Sequence, residues 1–158
     1  MKKLKVLLVG VLCVIFALGL SGCGKKKNPI SVDEFKSTMN SKNFSVVSSK
    51  SSYSQYKEIK ESYIAMSPDY TYQIEFIVLD SDSSASSMYN TNKNKFEQNK
   101  SSSKNLNTSI ELANYSKYTL LSDAKYKVVS RIDNTLIYLD VDAEYKDNID
   151  SILNEIGY

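Results

Sequence analysis

The stretch from Tyr70 to Asn99 changes its hydrophobic period once, and that change limits the fold more than any other feature. Tyr70, Tyr72, Ile74, Phe76 and Val78 alternate with Thr71, Gln73 and Glu75, a period of two that predicts a strand. From Asp80 the repeat lengthens, and Ala85, Met88, Tyr89, Asn92 and Phe96 fall on one side of a helix, a narrow stripe suited to lying on a sheet. The same switch recurs near the end of the chain. Leu139-Asp140-Val141-Asp142 ends a strand and opens a helix as Leu79-Asp80-Ser81-Asp82 does. In that register Ala85 aligns with Tyr145, Tyr89 with Ile149 and Phe96 with Ile156. The alignment suggests a pseudo-repeat of two hairpin-plus-helix units about a twofold axis, though chance likeness between two strand-to-helix transitions gives the same pattern.

Around these two switches the remaining elements fall into place. Ser31 with Glu34 three residues on forms a capping box, flanked by the staple pair Ile30 and Phe35, so a helix starts at Val32. Asn40 to Asn43 breaks it. Phe44 to Ser49 and Glu61 to Met66 read as strands, and Ser67-Pro68-Asp69 is a turn. Ser51 to Lys60 fits either a helical turn or a loop. Lys100 to Asn107 is read as a mobile polar loop, followed by strands at 109–113, 115–121 and 125–132. Asp133-Asn134 tolerates positive φ and predicts a two-residue hairpin turn into the strand 135–141. Tyr145, Ile149, Ile152, Leu153 and Ile156 form the clearest helical face, with Asp142 as its expected N-cap. Gly157 is its left-handed stop, and Tyr158 folds back on the last turn. The order predicts an α+β fold, an antiparallel sheet with about three helices packed mainly on one face.

The N-terminus is of another kind. Lys2, Lys3 and Lys5 precede an apolar run, Val6 to Leu20, which has the length of a signal h-region and is shorter than a comfortable bilayer span. The run ends in Leu20-Ser21-Gly22-Cys23. This tetrapeptide resembles the lipobox of bacterial lipoprotein precursors: an aliphatic residue, two small ones, then cysteine. The resemblance covers residues 1–23. It implies a diacylglyceryl thioether on Cys23, with Leu20, Ser21 and Gly22 recognised by the lipoprotein signal peptidase and cleavage before Cys23. Two fatty chains hold a protein on a membrane firmly where one does not. The body of the chain is similar to small Firmicute lipoproteins of uncharacterised function, and its Lys, Asn, Ser, Ile and Tyr usage leans to a Gram-positive source.

On this reading residues 1–22 are a signal peptide, 23–29 a lipidated cysteine with a short basic tether, and 30–158 one extracytoplasmic domain. Removing 1–22 takes away three lysines and no acid, leaving 17 basic against 18 acidic side chains, so no nucleic-acid footprint remains. Cys13 leaves with the signal and Cys23 carries lipid, so no disulfide is available. Gly24 to Pro29 reach at most about 20 Å, keeping the domain and any partner near the bilayer. Lys25, Lys26 and Lys27 are placed to touch anionic headgroups or to serve as a solvated spacer.

Chemistry is hard to find in the remainder. Histidine is absent, which removes the usual general base and the commonest metal ligand. No phosphate-cradling glycine loop and no G-x-S-x-G elbow occurs. Asp80 with Asp82, and Asp140 with Asp142 and Glu144, open helices and are read as caps rather than cation ligands, since no calcium-loop glycine or glutamate follows. Tyr53, Tyr56, Tyr63, Tyr70 and Tyr72 crowd one third of the chain and suit either a core or a contact surface. The sequence therefore points to a noncatalytic binding or interaction module, with no cofactor, no metal and no catalytic residue. Its partners are the bilayer, through Cys23, and a membrane-proximal protein or envelope component. Two alternatives stand beside it: a small-ligand or sugar-binding lipoprotein, and a hydrolase with an atypical Ser/Lys or carboxylate centre.

Overall fold

The computed structural model describes residues 26–102 and 105–158. Seven strands form one antiparallel sheet: β1 (Ser45–Ser48), β2 (Ile59–Met66), β3 (Gln73–Leu79), β4 (Asn105–Glu111), β5 (Tyr115–Ser122), β6 (Lys125–Ile132) and β7 (Thr135–Asp142). Their spatial order is β1-β2-β3-β7-β6-β5-β4. Three α-helices accompany them: α1 (Val32–Ser41), α2 (Asp82–Gln98) and α3 (Lys146–Glu155). The fold is α+β, as the alternation between periods of two and 3.6 requires.

The strand period sorts side chains between two apolar cores. On one face Ile74, Phe76, Val128, Ile137 and Leu139 meet Phe35 and Met39 of α1 and Ile149, Ile152 and Leu153 of α3. Phe35 stacks on Phe76 with ring centroids 4.7 Å apart. On the other face Ile77, Leu79, Leu120, Val129 and Leu136 meet Ala85, Tyr89 and Phe96 of α2. Two of the three helices thus share a face, and the longest covers the opposite one. The pseudo-twofold is not realised. The antiparallel neighbours β3 and β7 are exchanged only by an axis normal to the sheet, and that axis would put α2 and α3 on the same face.

Local signals act largely where they stand. The capping box at Ser31 is closed in both directions, with Glu34 N–H donating to Ser31 Oγ at 3.2 Å and Ser31 N–H to Glu34 Oε2 at 2.9 Å. Asp133 takes a positive φ of 47° in the β6–β7 turn, while Asn134 does not. Gly157 has φ 86°. Tyr158 folds back so that its N–H reaches the Leu153 carbonyl at 2.8 Å. Two expectations need correction. Strand β4 begins at Asn105, inside the stretch read as a loop, because its backbone pairs with β5 over the whole span from Ser122 to Ser116. Asp142 makes no cap bond. A short 3₁₀ turn (Ala143–Tyr145) precedes α3, and the Asp142 carboxylate instead takes Lys125 Nζ at 2.6 Å across the β6–β7 pair.

Candidate functional site

The alternation that makes β3 a strand also turns Glu75 and Ile77 toward the face covered by α2. Tyr138 stands directly opposite Glu75 on β7. The segment left ambiguous in the sequence, 51–60, opens with a 3₁₀ turn (Lys50–Tyr53) and then turns back into β2 at Ile59. Lys50 Nζ donates to the Ile59 carbonyl and closes that loop on itself. The loop carries Tyr53 and Tyr56 over the sheet, with ring centroids 6.2 Å apart. Helix α2, capped at Ser81, supplies the facing wall, where Ser84, Met88 and Asn92 recur every fourth residue. Between loop, sheet and helix lies a groove of about 610 Å³. Ser83, Ser87, Thr91 and Lys95 of α2 and Glu58 of the loop complete its rim.

Glu75 is the chemical centre of this groove. Only 9% of it is exposed. Its Oε1 accepts the Tyr53 hydroxyl at 2.7 Å and the Ser62 hydroxyl at 3.4 Å. Ser62 shares a further bond of 2.6 Å with Ser49, so a short chain of hydroxyls holds the carboxylate from behind. Among the described residues Glu75 has no ion-pair partner. Burial, and then the bond to Glu75, pushes the Tyr53 hydroxyl well above the usual tyrosine range, so Tyr53 stays a donor. Burial raises Tyr138 as well, helped by the fields of Asp140 and Glu75. Arrayed this way, a carboxylate floor and three phenol rings can accept hydrogen bonds from hydroxyl or ammonium groups and stack on an apolar face. The Ser84 hydroxyl is committed to Asp80 at 2.7 Å.

On the far side of α2 the same sheet face carries Arg131, the lone arginine of the chain. It is 9% exposed, and its guanidinium Nε is enclosed without a hydrogen-bond partner. An enclosed polar atom left unbonded is costly, and the guanidinium's charge acts outward, helping Lys93 to hold Glu111 below the usual carboxylate range.

The residues singled out in the sequence are placed as follows. Leu20, Ser21, Gly22, Cys23 and Lys25 lie outside the described residues. Lys26 Nζ stands 3.9 Å from Asp133. Lys27 is part of the domain rather than of a free spacer. Its N–H donates to Asn114 Oδ1 at 3.3 Å, and Asn114 Nδ2 donates to its carbonyl at 2.6 Å. Its ammonium donates to the Gly157 carbonyl at 2.8 Å and lies 3.8 Å from the centroid of the Tyr115 ring. Partial burial there lowers its pKa. The expected six-residue tether is therefore shorter than its sequence count.

Of the acidic clusters, Asp140 pairs with Lys127 at 2.8 Å and Asp142 with Lys125, while Asp80 accepts from Ser81 and Ser84. No group of three or more metal-ligating side chains occurs among the described residues. The tyrosine-rich segment divides. Tyr53 and Tyr56 line the groove, Tyr63 and Tyr72 pack on the α1/α3 core, and Tyr70 is 71% exposed in the β2–β3 turn at φ 58°. Glu75 was legible in principle. Ile77 and Leu79 share its alternate positions, which marks its face as a covered one.

Among the described residues no helix is long and apolar enough to cross a membrane. No protein family, no curated protein and no solved structure matches the chain.

Proposed function

We propose that this chain is a lipid-anchored lipoprotein of the outer face of the cell membrane, tethered through Cys23. In this reading its domain is a noncatalytic binding module. The groove between α2 and β2–β3 is the seat of a small ligand bearing ammonium or hydroxyl groups, such as an amine or a sugar unit of an envelope component. The observation that carries the reading is Glu75: a carboxylate nine-tenths buried, held by Tyr53 and Ser62, facing an open groove, and without an ion-pair partner among the described residues. A buried charge left without a counter-ion is suited to gain one from a ligand. The phenols of Tyr53, Tyr56 and Tyr138 add stacking surface.

A thermal-shift screen of the detergent-solubilised lipidated protein tests this with two panels, polyamines and amino sugars on one side and neutral oligosaccharides on the other. A ligand at 100 times its Kd adds about 2.7 kcal/mol, enough to raise Tm by several degrees. Glu75→Gln keeps the shape and should abolish the shift caused by amines, and Tyr138→Ala should reduce it for either class. No shift from any compound, or an undiminished shift in both variants, would count against the groove as the binding site.

A further inference from the structure

We infer that the domain does not tumble on its tether but docks on the bilayer by one end of the sheet, with the tip of the β4–β5 hairpin set into the lipid surface. The inference rests on the lipoprotein reading of Cys23. It adds an orientation and a contact surface to that reading.

The tether leaves the domain at a defined place. Lys27 is bonded through its main chain to Asn114, in the β4–β5 turn, and Lys26 reaches Asp133 in the β6–β7 turn. Those turns lie at the same end, since Tyr115 pairs with Ile132 and Asp133 N–H donates to the Asn114 carbonyl at 2.8 Å. From Lys27 back to Cys23 is four residue steps, at most about 14 Å of chain. The eight-residue strands are about 26 Å long, so the tether holds one end near the membrane while leaving the other out of reach.

That end is shaped for lipid. Leu112 is 44% exposed at the hairpin tip and Ile110 is 40% exposed just before it, with Ala113 also open to solvent. Exposed apolar side chains beside an anchored terminus can sink into the headgroup boundary, where aliphatic surface leaves water. The two acids nearest the hairpin tip have cationic neighbours, Glu111 with Lys93 at 2.6 Å and Asp133 with Lys26 at 3.9 Å. Asp80 and Asp82 open α2 toward the same end but on the β3 side of the sheet, so an anionic surface favours a tilt toward β4 and β5.

The mature chain offers a clean probe. Its only cysteine would be Cys23, blocked as a thioether, so one introduced cysteine is the sole free thiol. Leu112→Cys, Ile110→Cys, Leu106→Cys and Tyr70→Cys all replace exposed side chains. Each lipidated variant is labelled with an environment-sensitive fluorophore and reconstituted in phosphatidylglycerol/phosphatidylethanolamine vesicles. Quenching by bromolipids is compared with quenching by aqueous iodide. The expected result is a gradient, with lipid quenching several-fold above aqueous quenching at 112, weaker at 110, and reversed at 106 and 70. Intact mass reports lipidation separately. A lipidated protein whose label at 112 is as aqueous as at 70 would overturn the docking alone. Absence of the diacylglyceryl mass would overturn the lipoprotein reading and the docking with it.

Discussion

Glu75 and Arg131 share one face of the sheet with β7 between their strands, yet they serve the molecule differently. Glu75 is held by hydroxyls at the floor of a groove, whereas Arg131 has an enclosed Nε without a hydrogen-bond partner among the described residues and a charge felt by Glu111. An enclosed Nε left without a bond costs free energy, while the methylene stem packs like any apolar chain. Arg131→Met keeps that stem, and urea unfolding should show stability raised by about 1–2 kcal/mol. A loss of similar size would mean that attraction to Glu111, or an anion held at the site, outweighs that cost.

Asp150 offers the opposite case. Burial alone would raise its pKa, but bonds from Lys146 at 2.7 Å and Tyr126 at 2.5 Å, with the fields of Lys146 and Lys117, hold it below the usual carboxylate value of 3.8. A native pKa below the unfolded one means that the unfolded chain binds the proton more readily. The stabilisation is thus complete above about pH 5 and fades as pH falls through the native value. Asp150→Asn should cost about 1 kcal/mol at pH 7, with the gap to the wild type closing toward pH 2. A gap independent of pH would rule out the linkage.

Single residues end elements here as well, and Gly157 is the plainest example. Its φ of 86° lets α3 stop and sends Tyr158 under the sheet, where it is 1% exposed and shares a short hydrogen bond with Thr135. A Cβ at 157 meets nothing within 4 Å, so the cost of Gly157→Ala is purely conformational. Thermal melting should show a loss of about 1 kcal/mol, and an unchanged Tm would mean that the turn relaxes without penalty. Elements of this kind were legible because their signals are local: Ser31 with Glu34, the alternation from Ile74 to Val78, and Gly157. Strand β4 was hidden because its sequence, Asn105 to Glu111, is polar enough for a loop. It exists through pairing with β5, a partner supplied by topology. Asp142 looked like a cap until Lys125, its neighbour across the strand pair, claimed the carboxylate. The groove was hidden for a similar reason. Tyr53, Glu75, Met88 and Tyr138 are brought together by a crossing helix and a sheet order that no local pattern encodes.

At the scale of the whole molecule, two cores share one set of backbones. Leu136 and Ile137 are adjacent and both 0% exposed, yet one packs against α2 and the other against α1 and α3. Strands β3 and β7 divide their side chains in the same way, so the two cores are coupled through the central strands. Leu136→Ala and Ile137→Ala should each cost about 2–5 kcal/mol, a large share of what a domain of this size possesses. The shared strands predict that either change moves one common transition. The chain has 12 tyrosines and no tryptophan, so tyrosine fluorescence reports tertiary packing and far-ultraviolet circular dichroism reports the sheet and helices. In urea the two signals should coincide for the wild type and for both variants. Were Leu136→Ala to split the curve, with an early phase for α2 and an unmoved later one, the cores would be separate units. The groove, whose wall is α2, would then open without unfolding the domain. A single transition instead ties the shape of the groove to the stability of the whole sheet, and Glu75 keeps its place only as long as both faces are covered.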